Sequence, residues 1–220
     1  MLNPLDQLIN KPLVYTVVYL RAPKSASSTL YKACGPRNLL WREKKVLETA
    51  LSNDRKYKGL FSTTHATPNE LFKIFGRGIG NFFTFTSCRN PFDRAISQWA
   101  FSVKNKFGSF YGLKEDGSFL EYCEVLYKNR RDKNFWPSVL QTDYSHSCLR
   151  VDYIVRFEEL QKSWEKMIKD FDISGLPVTL SWENKNDHLP YQEYYCERSK
   201  EIIFDVYQKD FEKLNYPKNL

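Results

Sequence analysis

A short apolar segment near the start of the chain limits the folds that this sequence can adopt. Residues 13–20 read LVYTVVYL and consist mainly of β-branched and aromatic side chains. Such a run is typical of a strand covered on both faces, as in a parallel sheet between helices. The small residues and the proline of 21–28 predict a loop, and residues 27–34 predict a helix capped by a hydroxyl side chain of that loop. The order of strand, loop and helix indicates an α/β fold.

The rest of the chain continues this alternation. Further strands are predicted at residues 58–64, 81–88 and 151–156, and helices at 68–75, 91–104, 158–171 and around 202–211. With 42% hydrophobic and 16% aromatic residues, a chain of 220 residues can bury one core. We therefore expect a single domain over residues 1–220, with a central, mainly parallel sheet flanked by helices.

Composition limits the class of protein and its surroundings. The sequence has no run of 18 apolar residues, and residues 1–12 (MLNPLDQLINKP) lack the pattern of a secretory signal. The five cysteines are odd in number and form no CxxC pair, which indicates neither a disulfide framework nor a zinc site. We expect a soluble chain in a reducing compartment, without stable membrane insertion and without a metal. The net charge of +7 favours an anionic ligand but does not select one.

The loop after the first predicted strand carries the first candidate site. Its residues are Pro23, Lys24, Ser25, Ala26, Ser27, Ser28 and Thr29. Backbone N–H groups at the start of a helix, together with a lysine, can bind a phosphate. The loop departs from the GxxxxGK[ST] pattern because its lysine comes early and no glycine lies between residues 21 and 34, which weakens an ATPase or kinase interpretation. Taken alone, the loop is also compatible with an ordinary connection.

The second candidate site lies at the end of the strand predicted at 81–88. Residues 88–97 read CRNPFDRAIS, so that Arg89 ends the strand and Ser97 lies about two turns along the next helix. Both side chains can face one anion. A magnesium-dependent phosphotransferase usually needs an acidic residue near such a strand end, whereas an arginine there suits a phosphate. The alternative is that Arg89 is capped by Asp93 or is paired on the surface.

Together the two motifs resemble those of the sulfotransferases that use 3'-phosphoadenosine 5'-phosphosulfate (PAPS). The first is similar to their 5'-phosphosulfate loop, and Arg89 and Ser97 match their 3'-phosphate motif, including the eight-residue step. Residues 153–160 (YIVRFEEL) and 191–216 resemble segments of the same families, the latter the closing helix of the chondroitin and heparan type of carbohydrate sulfotransferase. The resemblance implies a P-loop-like α/β core, PAPS as sulfuryl donor and a hydroxyl acceptor, with a carbohydrate favoured.

The resemblance also implies roles for individual residues. His65 lies where these families carry the general base, and a free imidazole titrates near about 6.5. Cytosolic members often have a lysine two residues earlier, but this chain has Thr63, so Lys24 would supply more of the charge on the leaving group. Phe157 matches a position that lies near adenine in these families. The loop around Lys185 and His188 resembles a segment that closes over the nucleotide or the acceptor, so we expect Lys185 at the nucleotide and His188 at the acceptor.

The segment from residue 104 to residue 136 is rich in basic and aromatic side chains. Cations suit carboxylates or sulfates, and aromatic faces suit sugar rings, so we expect an anionic saccharide here with Arg130 and Arg131 among its contacts. The alternative is a solvated helical face with ordinary core aromatics.

Two other functions remain open on sequence alone. One is a P-loop-like nucleotide-dependent phosphotransferase, which would require a divalent metal. The other is a basic nucleic-acid-binding protein, whose association would fall steeply with salt. The motifs favour neither, and we expect no nucleic-acid partner. A soluble enzyme would be cytoplasmic, whereas a chain trimmed of a membrane anchor would come from the Golgi lumen.

Overall fold

The computed structural model describes residues 17–42, 65–104, 117–132, 135–149, 151–181 and 189–220. The chain forms two compact units. The first unit comprises Met1–Cys88 and Asp143–Asn184, and the second comprises Arg89–Thr142 and Lys185–Leu220. The single domain over residues 1–220 stays a prediction.

The first unit contains a parallel sheet. Its strands are, in spatial order, β1 (Val17–Leu20), β2 (Phe83–Cys88) and β3 (Tyr153–Arg156). The register pairs Leu20 with Thr86 and Cys88 with Arg156, so the carboxyl ends of the three strands lie at one edge. The prediction of an α/β fold with a parallel sheet is confirmed. The strand predicted at 58–64 and the first half of the strand predicted at 13–20 lie outside the described residues.

The helices follow the predicted alternation with local differences. In chain order they are α1 (Ser27–Cys34), α2 (Leu39–Arg42), α3 (Pro68–Phe75), α4 (Pro91–Lys104), α5 (Phe119–Lys128), α6 (Thr142–Ser145), α7 (Leu160–Asp170), α8 (Glu197–Val206) and α9 (Gln208–Lys213). Short 3₁₀ turns cover Gly35–Arg37, Gly76–Asn81, Trp136–Ser138, Phe157–Glu159 and Tyr191–Tyr194. The bounds predicted for α3 and α4 are confirmed. The helix predicted at 158–171 is instead a 3₁₀ turn followed by α7, and the final helix is divided at Tyr207, which leaves helical geometry.

Large aromatic side chains fill the core of the first unit. The rings of Tyr19 and Phe85 stack with centroids 4.7 Å apart, and Trp164 lies 5.9 Å from Phe85. Trp164 is fully buried, and its indole N–H donates to the carbonyl of Pro177 at 2.8 Å. Burying side chains of this size contributes about 1.5–3 kcal/mol each to the free energy of unfolding. This packing stabilises the sheet and, with it, the loops at its carboxyl edge.

The second unit is helical and combines an aromatic cluster with a buried ion pair. The ring centroid of Phe92 lies 5.2 Å from that of Tyr195 and 4.8 Å from that of Phe211, which joins α4 to α9. On the same two helices, Arg94 and Asp210 have fully buried side chains and form an ion pair of 3.4 Å. Burial of two charges is costly unless other hydrogen bonds satisfy them, so the partners of this pair matter.

The five cysteines are all free thiols. Cys34, Cys88 and Cys123 are buried, and Cys148 and Cys196 are exposed. In the part of the chain that the structure describes, no helix has the length and apolar character needed to cross a bilayer. The same residues include no group of three or more His, Cys, Asp or Glu side chains arranged to hold a metal ion.

Candidate functional site

The loop between β1 and α1 passes twice through the left-handed region. Lys24 has φ 63° and Ala26 has φ 62°, whereas Ser25 between them does not have a positive φ. A left-handed residue beside a right-handed one can direct successive backbone N–H groups to one side, where they form a concave anion site. Left-handed residues other than glycine cost about 1–3 kcal/mol each and are concentrated at functional sites. The backbone of this loop therefore fits a phosphate or a sulfate.

The start of α1 differs from the sequence prediction. The helix begins at Ser27, and its N-cap residue is Ala26, which makes no side-chain capping hydrogen bond. The predicted capping by a hydroxyl side chain is wrong, because the left-handed turn places alanine rather than serine at the cap. A helix N-terminus without a side-chain cap is the arrangement in which an anion can accept from the first amides.

A chain of hydroxyl groups holds the loop in this conformation. The Ser25 hydroxyl donates to the carbonyl of Ala22 at 2.8 Å and lies 2.9 Å from the Ser87 hydroxyl. The Tyr19 hydroxyl lies 2.8 Å from that of Ser87. Because each hydroxyl has one proton, Ser87 donates to Ser25 and Tyr19 donates to Ser87. Burial raises the pKa of Tyr19, which keeps its proton in place. The side chain of Ser25 thus ties the loop to β2 and stabilises its conformation.

His65 is partly buried, and its ring is held in one tautomer. Its Nδ1 atom lies 2.8 Å from the carbonyl oxygen of Arg21, at the start of the same loop. A carbonyl oxygen only accepts, so Nδ1 carries the proton and the neutral ring has its lone pair on Nε2. The Tyr144 hydroxyl donates to the carbonyl of His65 at 2.8 Å, so the main chain of His65 is held as well. Nε2 is therefore the atom of this residue that can take up a proton.

Burial and two cations determine the charge of His65. Burial, then the positive charge of Arg21 and, less strongly, that of Lys24 lower its pKa to about 4, against an opposing hydrogen bond to the Arg21 carbonyl. The imidazole is thus neutral at neutral pH. Lys24, the other predicted catalytic residue, is thus one of the charges that act on His65.

Arg21 is a site residue that the sequence analysis did not single out. Its guanidinium carbon lies 4.2 Å from the centre of the Tyr31 ring. Its Nε atom is buried and has no hydrogen-bond partner among the described residues. A buried donor without a partner costs about 1–3 kcal/mol, so an anion that reached this N–H would be bound favourably. The available signal was an arginine directly after a buried strand.

Arg89 and Ser97, the residues of the second motif, lie in the second unit. The Nε and Nη2 atoms of Arg89 donate to the carboxylate of Asp93 at 2.7 and 2.8 Å. This is the alternative pairing considered from the sequence, but the two side chains are only 9% and 13% exposed, so it is not a surface pair. A guanidinium has five N–H donors, and Asp93 orients the group by accepting two. Ser97 is buried on α4.

The remaining predicted site residues are described in part. Phe157 directly follows β3 and is partly buried. Arg130 has its Nε atom 3.2 Å from the carboxylate of Asp205 and its guanidinium 3.7 Å from the Tyr127 ring centre, whereas Arg131 is exposed. Three residues lie outside the described part of the chain: Thr63, Lys185 and His188. The roles of all these residues stay predictions.

Comparison with known proteins identifies the family of this chain. The family model described as the sulfotransferase family matches residues 13–217, which include the β1–α1 loop, His65 and the segment from Arg89 to Ser97. No curated protein and no solved structure matches the chain. Since the family model covers nearly the whole sequence, this chain belongs to the sulfotransferase family.

Proposed function

We propose that this protein transfers the sulfuryl group of PAPS to a hydroxyl group of a carbohydrate. Family membership supports sulfuryl transfer in general, and the donor and the acceptor are the proposal. The observation that carries it is the arrangement around His65. A neutral imidazole with its lone pair on Nε2 is held, through the Arg21 carbonyl, next to a loop whose backbone and lysine fit an anion.

The donor is proposed from the anion-binding features of each unit. In the first unit we propose that the 5'-phosphosulfate binds at the start of α1. Three features there suit it: the left-handed turns at Lys24 and Ala26, the first amides of α1 and the lysine side chain. In the second unit the oriented guanidinium of Arg89, with Ser97, is proposed to bind the 3'-phosphate. Phe157, after β3, is proposed to contact adenine, as the matching position does in the families that the chain resembles.

The proposed chemistry requires two actions from the residues of this chain. PAPS supplies an activated sulfuryl group whose leaving group is a phosphate. His65 Nε2 accepts the proton of the attacking hydroxyl as the new oxygen–sulfur bond forms. The Lys24 ammonium and the loop amides stabilise the negative charge that develops on the departing oxygen as the old bond breaks. By analogy with phosphoryl transfer, positioning and charge stabilisation would supply most of the acceleration.

The charge of the donor would also adjust the base. A pKa of about 4 makes His65 a weak base in the free protein. Arg21 and Lys24 are two causes of that low value, and an anion bound between their charges would offset both. The pKa of His65 would then rise by the part that these two charges cause, while the larger effect of burial would remain. His65 would thus be a stronger base with the donor bound than in the free protein.

The acceptor is proposed to be an anionic saccharide. The support is the net charge of +7 and the exposed Arg131 after α5. Arg130 belongs to the same proposal, although its ion pair with Asp205 would have to open or to share its guanidinium with the acceptor. Loop residues Lys185 and His188 are proposed to contact the nucleotide and the acceptor, respectively.

Calorimetric titration and a turnover assay test this function. The protein should bind adenosine 3',5'-bisphosphate more tightly than AMP and should transfer labelled sulfate from PAPS to members of a saccharide panel. His65→Ala should leave the affinity for adenosine 3',5'-bisphosphate nearly unchanged and lower turnover about 100-fold or more. Equal binding of both nucleotides, or a His65→Ala variant with undiminished turnover, would contradict the proposal.

A further inference from the structure

Arg89 is held through its main chain as well as through its side chain. The Gln141 side chain makes two hydrogen bonds to it: Oε1 accepts from the Arg89 N–H at 2.7 Å, and Nε2 donates to the Arg89 carbonyl at 2.8 Å. Gln141 is only 1% exposed, so water does not compete for these bonds. One amide side chain thus binds both backbone groups of one residue, as a neighbouring strand would.

Gln141 is in turn held by Asp210 of α9. The Asp210 carboxylate accepts from the backbone N–H groups of Gln141 and Thr142, both at 2.9 Å, and from the Thr142 hydroxyl at 2.9 Å. It also accepts from Arg94 at 3.4 Å, and Arg94 donates to the carbonyl of Val139 at 2.6 Å. These bonds account for the buried charge of Asp210. They also fix the backbone from which the Gln141 side chain extends.

The position of Arg89 is therefore determined from two directions. Gln141 fixes its N–H and carbonyl, while Asp93 fixes one edge of its guanidinium. A charged group that is already oriented binds a phosphate without the entropy loss of ordering a long side chain. If the Gln141 network only stabilised the fold, its loss would weaken the binding of every nucleotide alike. If it positions Arg89, its loss would weaken mainly the binding that depends on the 3'-phosphate.

We infer that Gln141, anchored by Asp210, is a positioning residue that gives the protein its selectivity for a nucleotide with a 3'-phosphate. The inference rests on the proposed function, because it requires Arg89 to bind that phosphate. Gln141 acts through Arg89 and does not touch the nucleotide itself. Replacing it should release the backbone of Arg89 and weaken only the part of binding that depends on the 3'-phosphate.

The test is a double-mutant cycle measured by calorimetry with adenosine 3',5'-bisphosphate and with AMP. Gln141→Ala should lower affinity for the bisphosphate about tenfold and affinity for AMP little. In an Arg89→Ala background the same change should have no further effect on the bisphosphate. Thr142→Val is the matched control for the loss of one buried hydrogen bond. It keeps the backbone N–H bonds of Gln141 and Thr142 to Asp210 and both bonds of Gln141 to Arg89, so it should keep the wild-type preference.

Each outcome separates the inference from the proposed function. A wild-type protein that does not prefer the bisphosphate refutes the proposed function and the inference with it. The inference alone is refuted if wild type prefers the bisphosphate but Gln141→Ala keeps that preference unchanged. It is also refuted if the losses of Gln141→Ala and Arg89→Ala add up in the double mutant. If Gln141→Ala does not fold, Gln141→Met serves instead, because it fills a similar volume and adds no charge beside Asp210 but makes neither bond to Arg89. Its preference should fall by a similar factor, and an unchanged preference would refute the inference.

Discussion

Acidification should destabilise this protein through His65. The pKa of His65 is lowered to about 4 in the folded protein, whereas an unfolded histidine titrates near about 6.5. Between these values the unfolded chain binds a proton that the folded protein does not, so stability is present above about pH 6.5 and is lost as pH falls toward 4. Each pH unit in this window is worth about 1.4 kcal/mol. Lowering the pH from 7 to 5 should therefore cost about 2 kcal/mol through this residue.

Urea unfolding at pH 7 and pH 5 measures the effect. Wild type should lose about 2 kcal/mol more than His65→Gln over this interval, because the variant keeps all other titrating groups. His146→Gln is the matched control, since His146 is exposed and contacts, among the residues that the structure describes, only the neighbouring Ser145 hydroxyl. This variant should lose as much stability as wild type. An identical loss in wild type and His65→Gln would mean that the folded protein protonates His65 as readily as the unfolded chain does.

A bound nucleotide should reduce this difference. Adenosine 3',5'-bisphosphate carries a 5'-phosphate, which is proposed to bind beside Lys24 and so to offset part of the charge that lowers the pKa of His65. The His65-dependent loss between pH 7 and pH 5 should then be smaller at saturating nucleotide. If the loss stays the same, the 5'-phosphate does not bind near Lys24.

Two further predictions concern binding. Arg89→Ala should lower the affinity for adenosine 3',5'-bisphosphate more than tenfold and Ser97→Ala should lower it less, because charge-assisted hydrogen bonds contribute about 1.5–3 kcal/mol each. Neither variant should lower the affinity for AMP as much. Equal losses of affinity for the two nucleotides in calorimetry would refute the assignment. Arg131→Glu should raise the KM for an anionic acceptor and its dependence on salt without loss of stability, whereas Arg130→Glu should also lower the melting temperature because it breaks the ion pair with Asp205. A KM that is independent of salt in wild type and in both variants would point to a neutral acceptor.

Local pattern predicted the elements that carry the site but not their details. The bounds of α3 and α4 followed from a proline at the first position and from apolar residues at helical spacing. The break between α8 and α9 could not be predicted, because apolar residues continue at helical spacing through Tyr207. The structure shows a long-range contact at this point: the buried Tyr207 hydroxyl donates to the Pro137 carbonyl at 2.6 Å. The cap at Ala26 was likewise mispredicted, since propensity favours serine there.

The sequence by itself determined the order of strands and helices, the loop that contains Lys24 and the eight-residue step from Arg89 to Ser97. These features depend on residues that are neighbours in the chain, and periodicity and turn chemistry report such neighbours well. Only the tertiary structure decided the tautomer and the low pKa of His65, because its partner carbonyl lies 44 residues away. It alone decided that Gln141 holds Arg89 across 52 residues. Burial and hydrogen-bond partners arise from contacts between distant segments, and no local pattern encodes them.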